Sequence, residues 1–302
     1  MTATAKVTFG EIASDSSGPS RVRAAMQLDF ARDAARNITF LARSSYEAPL
    51  KAVRAFALED GTALVHLHNV SGGLLGGDHL TLKIDVRREA FAQITTTGAT
   101  RVYRHRGEFS PTTQCNHFAV GEGALLEYLP DATIPFAGAN YMQRTSIELA
   151  KGAGLFWWEI LAPGREASGE LFEYHQFEMR TCVRSLGRKI AEENICLRPA
   201  SREISSLARL GPYRYAATFY ICRVGLDASA WRKAEDHLRR FTTELTRPGE
   251  ILWGVSSLVS DGLVAKFLAR RGHEVLPGLQ ALWREAKLFL YGRAAIPPRK
   301  VN

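Results

Sequence analysis

A mainly β protein is the fold class this sequence predicts: stacked or packed β-sheets, with about two α-helices near the C-terminus. Three observations carry that prediction. His79 to Val86 alternates with period two, placing Leu80, Leu82, Ile84 and Val86 on one face. Glycine-bearing turns such as Gly121-Glu122-Gly123 and Lys151-Gly152-Ala153-Gly154 recur between candidate strands, at a spacing that suggests antiparallel sheets rather than βαβ units. Helical spacing stands out in two late segments.

Residues 1–21 are small and polar, with Ser14-Asp15-Ser16-Ser17-Gly18-Pro19, and read as a flexible N-terminal leader. Residues 22–302 read as a single β-rich domain, with no internal repeat and no low-complexity linker. Strand signals dominate from about Val22 to Val224. Ala63 to His68 alternates, with Val65 and Leu67 opposite His66 and His68. Ser146 to Leu149, Leu155 to Ile160, Phe172 to Val183 and Ala216 to Val224 are further strands. From Ala228 to Leu245, Trp231, Ala234, Leu238, Phe241 and Leu245 fall at steps of three and four, one helical stripe. Asp227 is its N-cap and Pro248-Gly249 closes the segment. A strand near Leu263 to Leu268 precedes a second helix over Pro277 to Tyr291, which turns Leu279, Leu282, Trp283, Ala286 and Leu290 inward and stops at Gly292.

The chain of 302 residues carries a formal charge of +8. Its Lys and Arg residues are scattered, and no basic block interleaves with aromatics, so nucleic acid is not the indicated partner. Cys115, Cys182, Cys196 and Cys222 form no CxxC pair, which fits reduced thiols in the cytoplasm. The N-terminus lacks a signal-peptide apolar region, and apolar stretches such as Gly154 to Pro163 are too short to span a bilayer. A cytoplasmic protein with no membrane contact is expected.

Three short runs stand out. The first is Asn69 to Asp78, with Gly72, Gly73, Gly76 and Gly77; the others are Thr95 to Arg104 and Leu126 to Phe136. The glycine run precedes a strand, not a helix, and matches neither phosphate-loop pattern, so it lacks the helix N-terminus that phosphate binding uses. A tight connection that lets two layers approach closely explains the glycines, though not Asp78. His66 and His68 sit at i, i+2 on one strand face, a spacing that suits a metal or ordinary half-exposed positions. There is no HExxH and no GxSxG, and no cysteine has a nucleophile's local signature. Asp78, Glu127, Asp131, Glu159 and Glu170 all lie within or beside the marked runs or shortly after them. Such hard oxygen ligands hold divalent cations loosely and could line a wet passage. Pairing with Arg101, Arg104, Arg144 or Arg165 is the plain alternative.

Together these runs resemble the UreD family of urease accessory proteins, called UreH in some organisms. The resemblance runs from about residue 36 to 299. It rests on Gly72, Gly73, Gly77 and Asp78; on Thr95, Thr96, Ala99, Thr100, Arg101, Val102, Tyr103 and Arg104; and on Leu126-Glu127-Tyr128-Leu129-Pro130 with Ile134-Pro135-Phe136. Glu159, Gly164-Arg165, Gly169-Glu170 and Pro298-Arg299 follow in the family's order. Val70-Ser71, Thr97-Gly98 and Lys300-Val301 depart from its pattern.

The resemblance implies a non-catalytic maturation factor, a β-rich scaffold that binds urease structural subunits on one side and a complex of UreF with the GTPase UreG on the other. Nickel in transit would be its cargo, with no tightly bound cofactor. On that reading Asp78, Glu127, Asp131, Glu159 and Glu170 line the route, with Thr95 and Thr96 as hydroxyl neighbours. Trp231, Phe241, Trp283 and Arg299 are partner-docking candidates. A pure interaction scaffold without a metal route is the alternative; an unrecognised hydrolase would need a nucleophile–base pair that cannot be placed.

Overall fold

The structure, a computed structural model, describes residues 22–298; the expected leader over residues 1–21 and the docking candidate Arg299 lie outside the described residues. In chain order the strands are β1 (Arg23–Asp33), β2 (Ile38–Tyr46), β3 (Leu50–Ala52), β4 (Phe56–Ala57), β5 (Ala63–Asn69), β6 (His79–Val86), β7 (Phe91–Thr96), β8 (Thr100–Val102), β9 (Thr112–Val120), β10 (Leu125–Tyr128), β11 (Thr133–Pro135), β12 (Asn140–Leu149), β13 (Gly154–Leu161), β14 (Gln176–Ser185), β15 (Arg188–Leu197) and β16 (Tyr215–Arg223). Helix α1 (Ala228–Leu245), β17 (Ile251–Ser257), β18 (Gly262–Ala269) and α2 (Val275–Tyr291) complete the order.

Two sheets face one another. The smaller has the order β15-β14-β12-β9-β6-β1-β2, and the larger runs β17-β18-β16-β13-β10-β7-β5-β3. The expected antiparallel pairing is corrected here. β1, β6, β9, β12 and β14 pair parallel with their neighbours, and so do β5, β7, β10 and β13. Parallel neighbours need a crossover, normally a helix. Here a strand of the opposite sheet supplies it: β6 lies between β5 and β7 in sequence, β9 between β7 and β10, and β12 between β10 and β13. Antiparallel partners appear only toward the sheet ends, at β2, β15 and the β16-β18-β17 group, and at the short β3 and β4. Turn spacing is the same for a strand that folds back beside its predecessor and one that crosses to the other layer, so spacing misled on direction.

Alternation sorts the core into layers. Leu82, Ile84, Val86, Phe118, Leu126, Leu155 and Trp157 pack between the sheets. On the far side of the larger sheet, Phe156, Trp158, Phe219 and Phe267 meet the helices. There Trp231, Ala234 and Leu238 of α1 and Leu279, Leu282, Trp283 and Ala286 of α2 are buried. Burial of each large apolar side chain stabilises by roughly 1.5–3 kcal/mol, which fixes both helices to the sheet. Asp227 caps α1, its Oδ1 accepting from Ala230 N at 2.8 Å. The second helix starts at Val275, two residues before the expected Pro277, and ends where Gly292 turns left-handed at φ +61. β17, which sequence reading missed, carries Gly254 amid its alternating Ile251, Trp253 and Val255.

Candidate functional site

The three marked runs meet in space. Leu74 of the glycine turn pairs with β8 through Leu74 N to Arg101 O and Tyr103 N to Leu74 O, both 2.8 Å. β8 then pairs with β11. A Cβ on Gly73 would lie 2.5 Å from Tyr103 Cε2 and 2.7 Å from Arg101 O, so only glycine admits this approach. Tyr103 packs its ring on Phe136 at 5.0 Å, edge to face. Gly72 and Gly77 take positive φ, +77 and +89. Asp78, 2% exposed, closes the turn: its Oδ2 accepts from Leu75 N at 2.8 Å.

A cavity of about 330 Å³ lies behind this turn, lined by Gly72, Gly73, Thr96, Thr100 and Leu67 and reaching Gln114 and Tyr128 between the sheets. Gln114 begins a polar layer crossing an otherwise apolar interior. The Tyr141 hydroxyl lies 3.2 Å from Gln114 Oε1 and 2.8 Å from Gln143 Oε1. Gln143 Nε2 donates to Thr145 Oγ1 at 3.3 Å and to Glu159 Oε1. Thr181 Oγ1 donates to Glu159 Oε2 at 2.9 Å. Beyond Glu159, Lys266 pairs with Glu193 and donates to Thr218 Oγ1 at 2.7 Å, and Tyr220 donates to Glu193 Oε2 at 3.1 Å.

Glu159 is the chemically distinctive member. Burial, with the Glu193 carboxylate nearby, pushes its carboxyl up to about 7, against the hydrogen bonds from Thr181 and Gln143 and the charge of Lys266. Near neutral pH its carboxyl therefore stands close to the midpoint of its titration. The Tyr141 phenol, wholly buried, stays neutral because burial and the Glu159 charge raise it well above its ordinary value.

The other predicted acids stand elsewhere. Glu127 alternates with Leu126 and Tyr128, so its side chain points to the opposite face of the larger sheet from that of Glu159. It is 1% exposed and accepts from Trp283 Nε1 at 2.9 Å, Lys287 Nζ at 3.1 Å and Gln93 Nε2 at 3.2 Å. Burial raises its carboxyl, and Lys287, Trp283 and Gln93 oppose that shift. Asp131 exchanges bonds with Thr96: Thr96 Oγ1 donates to Oδ2 at 3.1 Å and accepts from Asp131 N at 2.9 Å. It lines a second cavity of about 330 Å³ beside Tyr215 and Val275. Thr95 donates to Leu129 O at 2.7 Å. Glu170 pairs with Arg165, whose guanidinium also sits 4.6 Å from the Phe136 ring centre; that partnership holds the Glu170 carboxyl below its ordinary range. Arg104 is exposed and covers Gly138. Of the five acids, Glu159 is the one hydrogen-bonded within the inter-sheet polar layer.

Three of the four docking candidates lie among the described residues. Trp231 and Trp283 are 6% and 0% exposed and Phe241 packs against the same core, because the helical stripe faces the protein's own sheet. His68 contacts Thr97 Oγ1 at 2.9 Å through Nδ1, and no group of three metal-ligating side chains occurs among the described residues. Sequence reading missed Gln114, Tyr141, Gln143, Thr181 and Lys266. Their signal was present: Tyr141, Gln143 and Thr145 hold the inward positions of a strand whose next inward residues are Ile147 and Leu149. No helix among the described residues is long and apolar enough to cross a membrane.

A family model described as UreD urease accessory protein matches residues 22–302. A protein named urease accessory protein UreD from Herpetosiphon aurantiacus is 44% identical over 281 residues, 93% of this chain and 97% of that protein. Proteins of the same name from Pseudomonas fluorescens Pf0-1 and Deinococcus radiodurans are 32% and 31% identical, covering 86% and 87% of this chain and 88% and 90% of their own lengths.

Proposed function

Because the chain belongs to the UreD family of urease accessory proteins and so has a role in urease maturation, we propose that it is a non-catalytic cytoplasmic scaffold that holds urease apoprotein and the UreF–UreG complex together while nickel passes through the layer between its sheets. The observation that carries this reading is the hydrogen-bonded polar layer from Gln114 to Glu159, with Thr218 beside Glu159 on the next strand and the exposed Lys266 beyond it, in an otherwise apolar interior. A passing ion needs weak oxygen ligands in series, since a Cys/His cage would retain it. Glu159 supplies a carboxylate, and Gln143, Tyr141 and Thr181 supply neutral oxygens around it. The cavity behind the Gly72-Gly73 turn is the opening at one end.

The test is Glu159→Gln, with nickel content of matured urease measured beside pull-downs of urease, UreF and UreG. Binding is expected to persist while nickel content falls. Full nickel content would remove Glu159 from the route. A second reading, an interaction scaffold without a metal route, is favoured by the structural pairing of Glu127 with Lys287 and Glu170 with Arg165; it predicts that partner binding and nickel content fall in parallel.

A further inference from the structure

The outer face of the smaller sheet carries a feature that metal transit does not use. A shallow trough of about 900 Å³ crosses the strands there, from Arg23 at one end to Asn194 at the other. Strand register sets its floor. Thr81, Cys115, Arg144, Arg180 and Asn194 stand side by side on β6, β9, β12, β14 and β15. Arg144 and Arg180 are therefore directly opposed, an arrangement of like charges that opposes folding.

Charge on this face is poorly balanced from within. Arg180 has a partner, Glu178, at 2.8 Å. Among the described residues no ion pair joins Arg23, Lys83 or Arg144, and the Arg144 Nε–H is buried with no acceptor. The carboxylates that line the trough are otherwise engaged. Glu47 accepts from Ala25 N at 2.9 Å, Glu192 pairs with Lys189, and Glu193 turns inward to Lys266. One row further along the strands the charges are paired within the chain. There Asp29 pairs with Arg87 at 3.2 Å and Glu148 with Arg184 at 3.4 Å. The trough is thus where cations without an ion pair among the described residues, Arg23, Lys83 and Arg144, gather.

We propose that this trough binds an extended acidic polypeptide segment of a protein partner. The charge complementarity is with Arg23, Lys83 and Arg144, and the buried Arg144 Nε–H takes a carboxylate oxygen. Length selects a segment over a small anion. From β1 to β15 the trough crosses five strand spacings, about 24 Å at about 4.8 Å each, which an extended chain covers with about seven residues. This site is separate from the inter-sheet layer and does not depend on the nickel reading.

Fluorescence anisotropy of the full chain with a labelled poly-glutamate peptide of about ten residues tests it. The peptide is expected to bind, more weakly as salt rises. Replacing Lys83→Gln and Arg144→Gln together weakens it about tenfold or more. Replacing Lys233→Gln and Arg240→Gln, on α1 across the molecule, leaves it unchanged. If the Lys83/Arg144 variant does not fold, Ser146→Glu carries the same expectation, since it keeps both cations and sets a carboxylate in the trough, two residues from Arg144 on β12 and in register with Lys83 across β9. The proposal is overturned if the α1 variant loses as much affinity as the trough variant, or if both bind as the parent does. It is also overturned if inorganic phosphate displaces the peptide at equal concentration, or if an oligothymidine of the same charge binds more tightly than the peptide.

Discussion

Lys287 Nζ lies 3.1 Å from the Glu127 carboxylate, and the two side chains are 2% and 1% exposed. This pair bridges the outer helix and the middle of the larger sheet. Trp283 Nε1 and Gln93 Nε2 complete the carboxylate's bonds, and Gln93 Nε2 also reaches Ile296 O at 3.0 Å, tying down the chain after α2. Removing one partner strands the other's charge in the interior. Lys287→Met alone is expected to cost about 3–5 kcal/mol in denaturant unfolding. Glu127→Gln added to it keeps an acceptor for Trp283 and removes both charges, so most of that loss should return. A double variant no more stable than the single would refute the account.

Stability should depend on pH through Glu159. Its carboxyl is raised from 4.5 to about 7 in the folded state. Folding therefore favours the protonated form: this contribution is greatest below pH 4.5 and is lost as pH rises toward 7. Relative to Glu159→Gln, the parent protein should lose on the order of 1–3 kcal/mol between pH 4.5 and 7. Parallel pH profiles of the two proteins would show that the carboxyl is not perturbed.

Gly73 and Gly98, one in each of the first two marked runs, should respond differently. Gly73→Ala forces its Cβ against Tyr103 and Arg101 O and should cost about 1–3 kcal/mol. Gly98→Ala meets nothing within 4 Å and should stay within about 0.5 kcal/mol of the parent. Adding Tyr103→Leu should recover only part of the Gly73→Ala loss, because the Arg101 carbonyl remains. Full recovery in a double-mutant cycle would mean that the backbone contact is relaxed.

Trp283→Ala and Trp231→Ala should behave as core variants, each losing about 3–5 kcal/mol. Any loss of partner capture should then track the folded fraction seen by circular dichroism. Lost capture from a fully folded Trp283→Ala protein would return that residue to the docking role its sequence position suggested.

Strand faces, both helices, the cap at Asp227 and the tight approach at the glycine turn were legible in the chain because each follows from local rules: period two, period 3.6, capping chemistry and the lack of a Cβ. His79–Val86 and Ala228–Leu245 coincide with their elements for that reason. Strand direction was not legible, since a turn does not record which sheet the next strand joins. Nor was the fate of the acids. Glu127 and Glu159 look equivalent in sequence, yet parity within β10 and β13 sends one toward Lys287 and the other toward Gln143 and Thr181. Only the packing of two sheets and a helix layer decided which carboxylate meets a buried cation and which meets neutral amide and hydroxyl donors.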